Sequence, residues 1–153
     1  MTAVEPGSVV YLDTAPLIYA IEEHPDYGTA VGHLLQAIDE GRLEALTSTL
    51  TLAELLVKPF ELDRTDLVRA YRSVLTGSAG MRVAPVDVEV AVEAARIRSA
   101  HRVRLADAVH LATAVHGGAD VFVTNDASLG RCDEIAVVLV SDLEAPQDDA
   151  PDG

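Results

Sequence analysis

The chain has little cysteine, few aromatic residues and a shortage of positive charge. Its 153 residues include one cysteine, no tryptophan, and 11 Lys plus Arg against 25 Asp plus Glu. A single cysteine cannot form an internal disulfide, so we expect a cytoplasmic location. The net charge of -14 argues against a general nucleic-acid-binding protein, because such proteins usually carry a basic patch.

Long apolar runs are absent as well. The longest segments without Asp, Glu, Lys or Arg have 12 residues, and one of them, 108–119, contains two histidines. A membrane helix needs about 20 apolar residues, so no membrane span is expected. The first ten residues, MTAVEPGSVV, lack the basic segment followed by a long apolar one that marks a secretory signal.

The composition is that of a globular protein, since 49% of the residues are hydrophobic. This length builds one domain with a core of its own. The last ten residues, EAPQDDAPDG, carry four acidic side chains and no large apolar one, so we predict a folded domain over 1–143 and a disordered acidic tail over 144–153. Without the tail, 21 acidic side chains still face 11 basic ones, an excess that divalent cations or a basic partner would offset.

Short apolar runs alternate with helical patterns along the chain. The apolar runs predict five strands, at 9–12, 43–47, 82–84, 121–123 and 136–140. Apolar positions with helical spacing predict helices at 16–23, 26–41, 51–59, from 65 to a loop at 77–80, at 87–101 and at 105–116. This alternation favours an α/β fold of three layers (α/β/α), with a central, mostly parallel five-stranded sheet covered on both faces.

Four carboxylates stand at comparable places in this scheme. Asp13 follows the first strand, Glu54 lies in the helix after the second strand, Asp107 is near a helix start, and Asp126 follows the fourth strand. Each also has a local alternative role, as a helix cap, part of a capping box beginning at Thr51, or a turn. Right-handed connections gather the carboxyl ends of parallel strands along one edge, which favours a shared site.

The surroundings of two of these acids point to a cation. Glu54 lies within TLAELLV and Asp107 within LADAVHLATAV, both largely apolar segments. An ionised carboxylate near a core is costly unless something pairs with it, and the chain has a single lysine, Lys58. Ligation by oxygen alone suits Mg²⁺ or Mn²⁺.

Four segments together resemble a known family: VVYLDTAPLIYAIE, STLTLAELLVKP, RLADAVHLATA and VFVTND. In order and spacing they are similar to the successive motifs of PIN-domain ribonucleases, in particular VapC-type toxins of toxin-antitoxin pairs. The resemblance covers about 9–140 and implies a PIN-like nuclease domain. It also implies that Mg²⁺, for which Mn²⁺ would substitute, is bound by the acidic quartet Asp13, Glu54, Asp107 and Asp126.

The resemblance has further implications for the site and its partners. Thr14 and Thr124 match hydroxyl positions that line the same pocket. At the last position of the acidic set, Asn125 is an alternative to Asp126 or shares its role. The family further implies a structured RNA substrate such as transfer RNA, a homodimer, and a cognate antitoxin that blocks the pocket, with an inserted arginine as the expected means.

Clustered carboxylates with divalent cations favour hydrolysis of a phosphodiester by water, without a histidine as general base. We therefore expect an endoribonuclease that leaves a 5′-phosphate and a 3′-hydroxyl. Basic residues near the acids, namely Lys58, Arg102 and Arg104, are predicted to contact RNA, although a solvated helix face explains them equally well.

His110 and Cys132 are two further candidates for a role in the site. His110 follows Asp107 by three residues on one helical face, so it is within reach of the acids. A zinc site is not expected, because the chain has one cysteine and no paired ligands at zinc-binding spacing, and Cys132 is interpreted as a core filler.

Two other classes of protein were considered. A phosphoryl-accepting receiver domain has a similar sheet, but it requires two adjacent acids after the first strand and a lysine after the last, and the chain has neither. A catalytically silent module that binds a partner protein through the acidic pocket stays open as the alternative to an enzyme.

Overall fold

A computed structural model describes residues 4–143. Five strands and six α-helices alternate along this part of the chain. The strands are β1 (Val9–Leu12), β2 (Glu44–Ser48), β3 (Met81–Ala84), β4 (Val121–Thr124) and β5 (Ala136–Leu139). The helices are α1 (Thr14–Ile21), α2 (Gly28–Asp39), α3 (Thr49–Glu61), α4 (Thr65–Thr76), α5 (Val88–His101) and α6 (Leu105–His116), with short 3₁₀ helices at Ala127–Arg131 and Val140–Asp142.

The strands form one sheet in the order β3-β2-β1-β4-β5, and every pairing is parallel. β1 is central, with Tyr11 opposite Leu46 of β2 on one side and Phe122 of β4 on the other. The predicted five-stranded α/β fold is confirmed. Because the strand order reverses at β1, its carboxyl end is the crevice where ligands bind in open α/β sheets.

The sheet separates two apolar cores, as the three-layer prediction requires. Val10 and Leu12 of β1 pack on one face with α1 to α4, whereas Tyr11 faces the opposite side with α5 and α6. Adjacent side chains of a strand point to opposite faces, so both faces of β1 are fully buried. The central strand thus provides a rigid base for the residue that follows it, Asp13.

Several predicted boundaries are corrected by one turn or less. The helix predicted at 16–23 begins at Thr14, and the one predicted from 26 begins at Gly28. The helix predicted at 51–59 is longer at both ends, because Ser48 is its N-cap and forms the capping box with Thr51. Pro59 lies inside this helix rather than closing it.

None of the helices within residues 4–143 has the length and hydropathy required of a bilayer-spanning segment. The acidic tail predicted over 144–153 lies outside the described residues.

Candidate active site

A pocket of about 450 Å³ opens at the carboxyl edge of the sheet. All four predicted acids line it, although they come from four separate places in the chain. The pocket is lined by Asp13, Thr14, Ala15, Ile18, Glu54, Arg104, Asp107, His110, Thr124, Asn125, Asp126 and Ala127. The structure therefore brings together eight of the ten predicted site residues.

Asp13 is held by hydrogen bonds to both of its carboxylate oxygens. Its Oδ1 accepts from the backbone N–H of Thr14 at 2.8 Å, and its Oδ2 accepts from the hydroxyl of Thr124 at 2.8 Å. Asp13 is the N-cap of α1, so the alternative capping role is also real. The carboxylate is therefore fixed in direction at the end of the central strand.

Glu54 projects from the second turn of α3 into the pocket. Its Oε1 accepts from the hydroxyl of Thr14 at 3.1 Å and from Nε2 of His110 at 2.5 Å. The hydrogen bond from His110 is the main cause that lowers the pKa of Glu54 below its ordinary value, against the opposing effect of partial burial. The carboxylate is thus kept in its charged form.

His110 is held from behind by a buried polar network. The hydroxyl of Tyr11 lies 2.7 Å from Nδ1 of His110, and the hydroxyl of Thr51 lies 3.4 Å from the same atom. Burial raises the pKa of Tyr11, so its hydroxyl stays protonated. The sequence predicted that His110 lies within reach of the site. It did not indicate a role for Tyr11 there, because Tyr11 lies in an apolar run that is typical of a buried strand.

Asp107 lies in the first turn of α6 and is paired inside the chain. Its Oδ2 is 3.1 Å from Nε of Arg104, the N-cap of this helix. Asp107 therefore does not cap α6 itself, which was one of its predicted alternative roles. The Arg104 side chain is 82% exposed and that of Asp107 13%, so the arginine lies at the pocket rim above the acid.

Asp126 and Asn125 form the wall that follows β4. Asp126 accepts from the backbone N–H and the hydroxyl of Ser128, at 2.9 and 2.6 Å, and so begins a short 3₁₀ helix. These bonds lower the pKa of Asp126. The side-chain amide of Asn125 donates to the hydroxyl of Tyr19 at 2.7 Å, away from the acids.

Two predicted RNA-binding residues do not reach the pocket wall. Lys58 is largely exposed and pairs with Glu61 at 3.6 Å. Arg102 is the C-cap of α5 and adopts the left-handed conformation with φ of 57°. Both predictions were based on closeness in sequence to an acid; neither residue lines the pocket, and their contact with RNA stays a prediction.

The donor set of the pocket fits a hard divalent cation, because it consists of carboxylate, hydroxyl and amide oxygens with a single imidazole that is already bonded to Glu54. Among the described residues, three potential ligand atoms converge within 4.8 Å of one another only at His101, Cys132 and Glu134, outside this pocket. No three of the described pocket acids therefore bring their oxygens within 4.8 Å of one another, whereas Mg²⁺ in proteins usually keeps several waters and is held by one or two carboxylates.

A family profile described as PIN domain matches residues 10–135. Among solved structures, VapBC2 of Rickettsia felis bound to promoter DNA has a TM-score of 0.69 at 16% identity, covering 86% of this chain and 98% of that one. FitAcB of Neisseria gonorrhoeae gives 0.65 at 25% identity, with 84% and 95% covered. Mycobacterium tuberculosis VapC20, described as a sarcin-ricin-loop-cleaving toxin, gives 0.65 at 16% identity, with 83% and 98% covered.

No curated protein matches the chain closely enough to serve as a sequence relative. The likeness to the structures below 25% identity establishes the shared fold.

Proposed function

The chain belongs to the PIN-domain family, and from this premise we propose that it is a divalent-metal-dependent endoribonuclease that acts as the toxin of a toxin-antitoxin pair. One observation carries the proposal. Asp13, Glu54, Asp107 and Asp126 come from four segments that span more than a hundred residues, yet they line the same pocket. Helix starts gather at this edge in a parallel α/β fold, but Ser48 and Arg104 are the N-caps of α3 and α6, so capping does not explain why Glu54 and Asp107 line the same crevice.

The acids of this pocket are the proposed ligands of Mg²⁺, with Mn²⁺ as a substitute. When bound, such a cation activates water for attack on a phosphodiester and neutralises charge on the leaving oxygen. The proposed products are therefore a 5′-phosphate and a 3′-hydroxyl.

The surrounding residues fix the acids in place before any cation arrives. Thr124 and the backbone N–H of Thr14 orient Asp13, while His110 and the Thr14 hydroxyl orient Glu54. Preorganised ligands lose less freedom on binding, and their hydrogen-bonded partners typically contribute 10- to 100-fold to metal affinity. The polar network behind the pocket therefore supports the site rather than reacting itself.

Arg104 is the proposed contact to the substrate. It is the only basic residue of the pocket lining other than His110, and its exposed guanidinium can leave Asp107 for a phosphate. With an acidic excess over the rest of the domain, nonspecific affinity for RNA is expected to be weak. Thr14, Thr124 and Asn125 are the proposed polar contacts around the scissile bond.

A structured RNA of the translation machinery, such as transfer RNA, is the proposed substrate. Recognition by shape and by an exposed loop suits a protein with few basic groups. VapC20, which shares the fold, is described as cleaving the sarcin-ricin loop, and this supports a folded RNA as the substrate class.

The proposed partners are a cognate antitoxin and a second copy of the chain, in the cytoplasm. Similar folds occur in toxin-antitoxin complexes from Klebsiella pneumoniae and other bacteria. The pairing of Arg104 with Asp107 shows that a guanidinium fits against this acid, so an antitoxin arginine has a suitable counterpart in the pocket. Exposed apolar side chains on α3 and α5, such as Phe60 and Val88, are suited to a subunit interface.

The proposal is tested by incubating the purified chain with transfer RNA and Mg²⁺ and mapping the product ends. Cleavage that leaves a 5′-phosphate, and that falls at least about a hundredfold in Asp13→Asn, is the expected result, since metal catalysis supplies several kcal/mol. Asp39→Asn, on the exposed face of α2, is the matched control. Products with a 2′,3′-cyclic phosphate, or equal activity in both variants, would contradict the proposal.

One observation favours the silent binding module as a second candidate. Asp107 is paired with Arg104 and Glu54 with His110, so two of the four acids already have partners within the chain. A module of this kind would bind no Mn²⁺ at millimolar concentration and cut no RNA while still capturing its partner. Mn²⁺ binding measured by calorimetry separates the two functions.

A further inference from the structure

A second cluster of metal-ligand side chains lies away from the acidic pocket. His101 ends α5, and Cys132 and Glu134 follow the 3₁₀ helix after β4. One ligand atom from each of the three lies within 4.8 Å of the other two. The cluster combines an imidazole nitrogen, a sulfur and a carboxylate oxygen, a donor set unlike that of the acidic pocket.

The hydrogen bonds and ion pairs that the structure describes in this cluster leave one of its potential metal-ligand atoms without a partner. Nε2 of His101 lies 2.8 Å from Oε1 of Glu134, which also has Arg96 at 3.5 Å. The second oxygen of Glu134, Oε2, is buried and has no hydrogen-bond partner among the described residues. A buried carboxylate oxygen without a partner is costly, and a simple pairing of His101 with Glu134 does not explain it.

Cys132 is 2% exposed and is the only cysteine of the chain. It packs in the apolar core on this face of the sheet, as predicted. Its sulfur also lies within 4.8 Å of an imidazole nitrogen and a carboxylate oxygen, which packing alone does not require.

From this geometry we propose that His101, Cys132 and Glu134 form a zinc site that ties the end of α5 to the segment after β4. Zn²⁺ is bound by cysteine sulfur at about 2.3 Å and by histidine nitrogen and carboxylate oxygen at about 2.0–2.2 Å, in a tetrahedron. Ligand atoms of such a site lie within 4.8 Å of one another, as they do here.

The fourth position of the tetrahedron has a candidate of its own. Oδ1 of Asp133 lies 3.6 Å from Nε2 of His101, and the Asp133 side chain is 91% exposed. Asp133 can therefore provide the fourth ligand from the solvent side, or a water molecule can occupy that position.

The site would connect the two segments that frame the acidic pocket. His101 precedes Arg104 by three residues, and Cys132 follows Asp126 by six. Zinc bound here would hold both segments against each other. The proposal does not depend on the nuclease function, because none of its ligands lines the acidic pocket.

Cobalt(II) is the decisive probe, because a thiolate bound to Co²⁺ gives an intense near-ultraviolet charge-transfer band and carboxylates do not. The full chain, with Mg²⁺ in excess to occupy the acidic pocket, is titrated with Co²⁺ and then with Zn²⁺. We expect one Co²⁺ per chain with the thiolate band, which Zn²⁺ then abolishes.

Variants identify the ligands. Cys132→Ser should lose the band, whereas His101→Gln and Glu134→Gln should weaken Co²⁺ binding by about tenfold or more, as even indirect metal contacts do. His116→Gln, an exposed histidine at the end of α6, is the matched control and should bind as wild type. Circular dichroism confirms folding of each variant, and Cys132→Ala replaces Cys132→Ser should the latter not fold.

Absence of a thiolate band at saturating Co²⁺ would overturn the proposal. So would a band of full strength and unchanged affinity in both His101→Gln and Glu134→Gln, because the sulfur would then bind cobalt without the other two residues.

Discussion

The hydroxyl of Tyr11 and Nδ1 of His110 lie 2.7 Å apart inside the domain, and the opposite nitrogen of the same ring bonds Glu54. Since the carboxylate of Glu54 can only accept, Nε2 of His110 donates to it, while Nδ1 bonds the hydroxyl of Tyr11. A tyrosine on the central strand thus orients an acid of the pocket through one intervening imidazole.

Removing the Tyr11 hydroxyl from this series of hydrogen bonds should weaken metal binding while the domain stays folded. Tyr11→Phe leaves Nδ1 of His110 without its nearest hydrogen-bond partner, so we expect a loss of about 1–2 kcal/mol in the free energy of unfolding. Mn²⁺ affinity should fall about tenfold, as for other residues that orient a metal ligand. Urea unfolding and calorimetry measure the two effects.

The control for this variant is a second buried tyrosine. The hydroxyl of Tyr71 donates to Glu22, far from the pocket. Tyr71→Phe should lower the free energy of unfolding by a similar amount and leave Mn²⁺ affinity unchanged. If both variants altered Mn²⁺ affinity equally, the effect would come from stability alone, and the orienting role of Tyr11 would be wrong.

Tyr71 also leads to a prediction at alkaline pH. Burial, and then the Glu22 carboxylate, raise the pKa of Tyr71 above its ordinary value of 10.0. Below pH 10 both states are protonated, whereas above it the unfolded chain loses its proton first, so stability falls as pH rises. The urea midpoint should therefore decline more steeply above pH 10 in wild type than in Tyr71→Phe, and parallel curves would contradict this.

Cation binding to the acidic pocket should appear as added stability. Mn²⁺ at a hundred times its dissociation constant should raise the free energy of unfolding by about 2.7 kcal/mol. Asp13→Asn should lose most of this gain, while Asp39→Asn on the surface of α2 should keep it. Thermal melts with EDTA and with Mn²⁺ measure the difference, and an equal gain in both variants would place the cation elsewhere.

The two arginines predicted to contact RNA, Arg102 and Arg104, can be separated by the salt dependence of binding. Arg104→Ala should weaken RNA binding and reduce the slope of affinity against salt concentration by about one ion. Arg102→Ala, two residues away but outside the pocket, is the matched control and should have little effect. Fluorescence anisotropy with labelled RNA, in Ca²⁺ to limit cleavage, measures both slopes. An equal change in the two variants would indicate a diffuse basic surface instead.

The sequence predicted the sheet well because the signal was local. Short unbroken apolar runs such as 121–123 are typical of strands covered on both faces, and Gly117 ends α6 at the expected residue. The start of α3 was harder to place, since Ser48 and Thr51 are both able to cap. In the structure Ser48 caps the helix, while the Thr51 hydroxyl also lies 3.4 Å from Nδ1 of His110, a contact between residues far apart in the sequence.

The site was predicted in part for the same reason. Strand ends predicted Asp13 and Asp126, and the motifs predicted Glu54 and Asp107, but closeness in sequence to an acid did not show which basic side chains line the pocket. Lys58 lies one turn after Glu54, yet it pairs with Glu61 on the solvent side. His101 and Cys132 are separated by 31 positions, so no short spacing indicates that they lie close together, and the expectation of no zinc site was based on the single cysteine and the absence of paired-ligand spacing.

The position of β4 in the sheet sets when the protein can become active during its synthesis. β1 lies between β2 and β4, and the wall that contains Asp126 exists only once β4 has joined it. A nascent chain whose β4 has not yet been synthesised therefore has an incomplete pocket. On the proposed function, RNA cleavage begins only after the final strands have emerged and folded. An antitoxin synthesised before that point can bind the toxin as soon as its pocket is complete.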